Sequence, residues 1–191
     1  MNQIGTPYQT IIFMGKTGCG KGTQASRLAK ELGFRLFSTG DSIRYFSQQE
    51  TSLGRHIKAM QVAGWVPEWL ASYLFVKEIM ENAGDNGVVF ESVARKLEEA
   101  RKLHDMHTIL DRSYIVLYLD VPDEVVIDRM QKRQRDESDS DINIQKRLDA
   151  FYNETVHSID YFTNLGKVIT IDGNRSTDDI YSDILKAVTT N

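Results

Sequence analysis

Residues Gly15-Lys16-Thr17-Gly18-Cys19-Gly20-Lys21-Gly22-Thr23 follow the apolar run Ile11-Ile12-Phe13-Met14 and precede a helical pattern. A strand, a glycine-rich loop and a helix in that order make an anion cradle. Loop N–H groups and the helix N-terminus converge on one point, and Lys21 adds a full positive charge. Side chains in place of the glycines would hold a phosphate away from those donors. The G-x-x-x-x-G-K spacing arises by chance in roughly one chain in fifteen to twenty of this length. The flanking strand and helix make a chance match rarer still. In the common pattern Ser or Thr follows the lysine directly; here Gly22 intervenes and Thr23 supplies the hydroxyl.

The rest of the chain alternates strands with helices. Strands are expected at 10–14, 34–37, 88–90, 114–119 and 168–171. Helices are expected at 21–32, 41–48, 53–63, 68–82, 95–110, 123–134, 142–164 and 177–189. The helix at 21–32 places Ala25, Leu28, Ala29 and Leu32 on one face and stops at Gly33. Such alternation predicts an α/β fold, a five-stranded parallel sheet covered on both faces. A ligand would sit at the carboxyl ends of the strands, where the glycine loop lies. Tyr73, Phe75, Phe151, Tyr152, Tyr161 and Phe162 are expected in the core, and His56, His104, His107 and His157 have no catalytic or metal spacing.

The 191 residues suit one domain with small inserted lobes. A net charge of −4 gives no global basic field, so no nucleic-acid partner is expected. No apolar stretch approaches the roughly 18–20 residues of a membrane span, and the N-terminus lacks signal-peptide features. Cys19 is the single cysteine, which excludes an internal disulfide and suits a reducing cytoplasm. Beside Lys21 and a helix N-terminus, Cys19 reads either as a redox-responsive thiol or as a small residue tolerated in a tight loop.

Downstream of the loop stands Ser38-Thr39-Gly40-Asp41-Ser42-Ile43-Arg44. With Gly15 to Thr23 and Gln24, this resembles the adenylate kinases and their nucleoside monophosphate kinase relatives. The resemblance continues through Met60 to Pro67, through Val121-Pro122-Asp123-Glu124 with Arg129 and Arg133, and through Gln145-Lys146-Arg147-Leu148. It implies a P-loop NTPase three-layer sandwich with two small lobes. One, about 39–67, closes over a monophosphate; a short lid, about 133–142, closes over a triphosphate. The implied reaction is reversible Mg²⁺-dependent transfer of a phosphoryl group from ATP to a nucleoside monophosphate, AMP first, by a monomer.

The resemblance also implies roles residue by residue. Gly18, Cys19, Gly20, Lys21, Gly22 and Thr23 would cradle ATP together with Arg133, with Arg129 stacked on its base. Thr39, Arg44, Gly64, Trp65, Val66, Ser92, Arg95, Glu99 and Arg147 would line the monophosphate site. Lys21, Arg95, Arg133, Arg147 and Arg135, the last as a lid arginine, would stabilise the charge of the transferred group. Asp41 and Glu91 would hold Mg²⁺ through water; Asp41 also reads as a helix N-cap.

Two departures stand out. Where the family carries Asp-Gly-Phe-Pro-Arg, this chain reads Glu91-Ser92-Val93-Ala94-Arg95. Loss of the Gly and Pro changes the backbone freedom that sets the register of Arg95. Where the family has Gln, Glu99 stands. An ionised Glu only accepts hydrogen bonds, which suits the adjacent N–H and amino group of guanine better than adenine. Glu99 therefore predicts an acceptor range widened toward GMP, unless it is a solvated helix residue. A nucleotide-binding regulator with impaired catalysis is the alternative to an active kinase, and a P-loop kinase of a small metabolite is a third reading.

Overall fold

The computed structural model describes residues 5–62, 67–81, 87–133 and 141–189. Five parallel strands, β1 (Thr10–Met14), β2 (Arg35–Ser38), β3 (Val88–Glu91), β4 (Tyr114–Asp120) and β5 (Val168–Asp172), form one sheet in the order β2-β3-β1-β4-β5. All of β1 is buried, and it is central: Ile12 lies beside Phe90 on one side and Val116 on the other. A β-branched and aromatic run covered on both faces is what a central parallel strand requires.

Alternation along the strands splits the core in two. Ile11, Phe13, Val89, Leu117 and Leu119 face α1 (Lys21–Leu32), α6 (Asp123–Arg133) and α9 (Thr177–Thr189). Ile12, Met14, Phe90 and Val116 face α4 (Glu68–Glu81), α5 (Leu97–Ile109) and α8 (Val156–Asn164). A third cluster of Ile43, Ile57, Leu70 and Leu74 packs α2 (Thr39–Ser47) and α3 (Ser52–Val62) onto α4. Pro67 precedes the first turn of α4, where its missing N–H costs nothing.

Three details differ from expectation. The helix expected over 142–164 is α7 (Asp141–Ala150), a π turn over Phe151–Thr155, and then α8. Periodicity cannot reveal a single wide turn, because apolar residues flank it on both sides. Tyr73 and Tyr152, expected in the core, are exposed, whereas Phe75 and Phe162 are fully buried. Asp41 is not the N-cap of α2; the Ser38 hydroxyl accepts from the Asp41 backbone N–H at 3.3 Å.

Candidate active site

The turn after β1 needs two backbone conformations that side chains disfavour. Gly15 has φ +140°, and a Cβ there would stand 2.6 Å from the Leu119 carbonyl oxygen. Gly18 has φ +87°, and a Cβ there would meet Met130 Cγ at 2.8 Å. Glycine therefore lets the loop pass tightly against β4 and α6 before entering α1.

Lys21, in the first turn of α1, is buried. Its Nζ donates to the carbonyl oxygens of Gly15 at 2.8 Å and Lys16 at 2.7 Å and lies 3.5 Å from Cys19 Sγ. Burial pulls this ammonium below the usual lysine pKa; Cys19 and Glu91 oppose the pull and Arg95 adds to it. The loop is thus pre-shaped around the lysine. A phosphate oxygen would exchange with carbonyl contacts that already hold the charge in place.

At the ends of β1 and β3 a cavity of about 110 Å³ is lined by Lys21, Ser92, Arg95, Arg147, Phe151 and Thr155, among others. That volume suits phosphoryl groups rather than a whole nucleotide, and three cations on its wall set the sign of its ligand. Arg95 keeps part of its surface open to solvent. The surrounding cleft nevertheless withdraws enough water to lower its pKa, Glu91 opposing and Arg147 adding to the effect. Glu91 ends β3 against the first turn of α1, its Oε1 3.3 Å from where a Cβ on Gly22 would lie.

The Glu91 to Arg95 stretch has a backbone of its own. Ser92 has φ 63° and Ala94 φ 53°, both left-handed. Ser92 thus occupies a conformation that glycine would take freely. Ala94, where the resembled family has Pro, takes a φ that proline's ring forbids. Arg95 still reaches the cavity.

Glu99 is held at the start of its own helix. It is buried at 5% exposure, so it is not a solvated helix residue. Its Oε2 accepts the backbone N–H groups of Arg95 at 2.9 Å and Lys96 at 3.4 Å, capping α5 from the third position. Burial raises its carboxyl pKa, and the two backbone N–H groups oppose that rise. No sequence signal marks this cap, because Lys96 stands at the N-cap where a capping box carries Ser or Thr.

Other expected site residues fall on adjoining elements. Arg129 on α6 donates to the carbonyl oxygens of Cys19 at 3.4 Å and Gly173 at 3.3 Å, bridging the glycine loop and the turn after β5. Asp41 and Arg44, both on α2, are paired with each other, and Thr39 is buried beside them. Thr23 is exposed on α1. Gly64, Trp65, Val66 and Arg135 lie outside the described residues, as does the side chain of Arg133.

Sequence reasoning missed Phe151, Glu154 and Thr155, which the π turn brings to the cavity. It also assigned nothing to Lys16.

The comparisons with known proteins point one way. The family profile described as adenylate kinase matches residues 13–167. An adenylate kinase of Maricaulis maris is 34% identical over 185 residues, spanning 93% of this chain and 97% of its own length. One from Thermus thermophilus is 33% identical over 185 residues, spanning 94% and 97%. One from Mycolicibacterium vanbaalenii is 33% identical over 180 residues, spanning 93% and 98%.

Proposed function

We propose that this chain, which belongs to the adenylate kinase family and is a phosphotransferase, moves the γ-phosphoryl group of ATP reversibly onto AMP. The observation that carries this reading is the convergence of Lys21, Arg95 and Arg147 on one cavity beside the glycine loop. A phosphoryl transition state spreads charge over its equatorial oxygens, and catalysis consists mainly of holding those oxygens in line among fixed positive groups. Lys21 would take the β- and γ-phosphates. Arg95 and Arg147 would take the acceptor phosphate and the transferred group, with Arg44 on the acceptor side and Arg129 against the donor base. The lobe at about 39–67 would close over AMP, and the lid at about 133–142, with Arg133 and Arg135, over ATP.

Glu99 commits Oε2 to the cap of α5, which favours AMP over GMP as the acceptor, in line with the adenylate kinases that the chain resembles. An impaired regulator is less economical, since a binder needs no such convergence of arginines at the transfer point.

Magnesium suits the site as an ion carried by the nucleotide. No cluster of three or more His, Cys, Asp or Glu side chains among the described residues could cage a metal. Glu91, set beside the loop, offers hard oxygen to the waters that Mg²⁺ commonly keeps, with Asp41 as the second carboxylate. Bound there, the ion would offset phosphate charge. No helix among the described residues is long and apolar enough to cross a membrane, and we place the chain, as a monomer, in the reducing cytoplasm.

Initial rates of ADP formation with AMP, GMP, CMP, UMP and dTMP, with and without Mg²⁺, test the reading. It requires AMP to lead and Mg²⁺ to be needed. Tight nucleotide binding without turnover would favour the regulator.

A further inference from the structure

Lys16 sits in the glycine loop, yet its side chain turns away from the phosphate cavity. It is buried, with Nζ donating to the Val121 carbonyl at 2.9 Å and paired with Asp123 Oδ1 at 2.5 Å. Asp123 in turn accepts from the Tyr152 hydroxyl at 2.7 and 2.9 Å through its two oxygens. The ammonium lies 5.4 Å from the centre of the Tyr152 ring and 5.8 Å from that of Phe151. Burial works against the Lys16 charge, but Asp123 and Tyr152 outweigh it and hold its pKa above the usual lysine value. Hydrogen bonding from Lys16 holds the Asp123 carboxyl below its ordinary range. The ammonium therefore stays charged at neutral pH and stays where it is.

Three working segments meet on this one residue. Its main-chain oxygen accepts from Lys21 Nζ at 2.7 Å. Its side chain grips the start of α6, the helix that carries Arg129. Through Tyr152 it reaches the π turn, which brings Phe151, Glu154 and Thr155 to the cavity a single turn beyond Arg147. Single π turns inside α-helices are frequent at functional sites. Here the turn's one exposed aromatic is the residue that is held.

We propose that Lys16 is a positioning residue: the Lys16–Asp123–Tyr152 chain fixes the distance between the loop holding Lys21 and the turn adjoining Arg147. It touches no phosphate. The proposal rests on the kinase reading above, because it concerns the alignment of groups across the transfer point. Misplacing such groups by about 1 Å costs up to about 10²-fold in rate.

The test uses the full chain with Tyr152→Phe, Lys16→Met and the double variant. Tyr152→Phe is expected to lower kcat by about 3–10-fold and Lys16→Met by about 10–100-fold, with KM for both nucleotides within about twofold. The double variant should be no slower than Lys16→Met alone, because both changes cut one chain. Amide hydrogen exchange over 151–155 should quicken by about tenfold in each single variant. Multiplying losses, a change confined to KM, or a kcat untouched in Tyr152→Phe would overturn the proposal. Tyr152 is about half exposed, so its variant still decides the matter if Lys16→Met does not fold. A wild-type chain that phosphorylates no monophosphate would sink the kinase reading instead, while the exchange data would still judge the link.

Discussion

Lowering the pH should destabilise this protein through one histidine before most carboxylates titrate. His107 on α5 is 1% exposed; its Nδ1 lies 2.7 Å from the Leu103 carbonyl, and its Nε2 has no hydrogen-bond partner among the described residues. The carbonyl assigns the proton to Nδ1 and leaves Nε2 bare. Protonating Nε2 would bury a new N–H in a setting where the Tyr114 ring centre lies 4.8 Å from that of His107 and Arg112 and His104 are the nearby basic groups. Burial therefore pushes the His107 pKa down to about 4 from 6.5, the Leu103 carbonyl opposing and Arg112 adding. Above pH 6.5 neither the folded nor the unfolded chain carries this proton, and stability is full. Between pH 6.5 and about 4 the unfolded chain takes up the proton and the folded chain does not, so stability falls with the pH. At 1.36 kcal/mol per pH unit, the gap is worth about 3 kcal/mol. Urea unfolding at pH 7, 6, 5 and 4 on the native chain and on His107→Gln measures it, because other acid titrations are common to both. The native chain should lose about 3 kcal/mol more than the variant over that range. Parallel curves would refute the argument.

Substitutions at five other positions test particular contacts. Lys21→Ala or Arg95→Ala should lower turnover by at least about 10²-fold, as removal of a transition-state charge partner does; near-normal turnover in purified Arg95→Ala would mean that Arg95 does not reach the reacting group. Ala94→Gly should stabilise the chain by up to about 1 kcal/mol in urea unfolding, and Ala94→Pro should cost about 3 kcal/mol or more, because Ala94 has φ 53°. Gly15→Ala should cost about 2 kcal/mol or more, since the Leu119 carbonyl cannot give way to its Cβ. Glu99→Gln, which can still cap, should leave stability within about 1 kcal/mol and the ranking of acceptors unchanged, whereas Glu99→Ala should lose about 1 kcal/mol; a reordered acceptor series in Glu99→Gln would return the residue to the base-reading role.

What the sequence disclosed was whatever depends on local pattern. The glycine loop, the five strands and the apolar face of α1 follow from spacing and from the residues that tolerate a given φ. Arg95 and Arg147 were placed by resemblance, and they line the cavity with Lys21. What stayed hidden depends on choices between competing partners. Glu99 could face a base, the solvent or its own helix end, and only packing decides for the backbone N–H groups. Lys16 reads as one more loop cation until its side chain is seen to run to Asp123. The π turn escapes the pattern because its one extra residue shifts the apolar phase by about 100°, and the flanking helices, 10 and 9 residues long, are too short to show the shift. Ser92 and Ala94 hold left-handed conformations that their side chains would not suggest.

The wide turn at Phe151–Thr155 also restricts which lengths of chain this helix can tolerate. Deleting one residue there would restore regular winding and rotate everything beyond it by about 100° relative to everything before it. Ile159 and Phe162 would then swing away from the sheet, or Arg147 away from the cavity. Conservative substitutions within the segment are absorbed locally, but a single-codon loss would force a choice between an intact interior and a working catalyst.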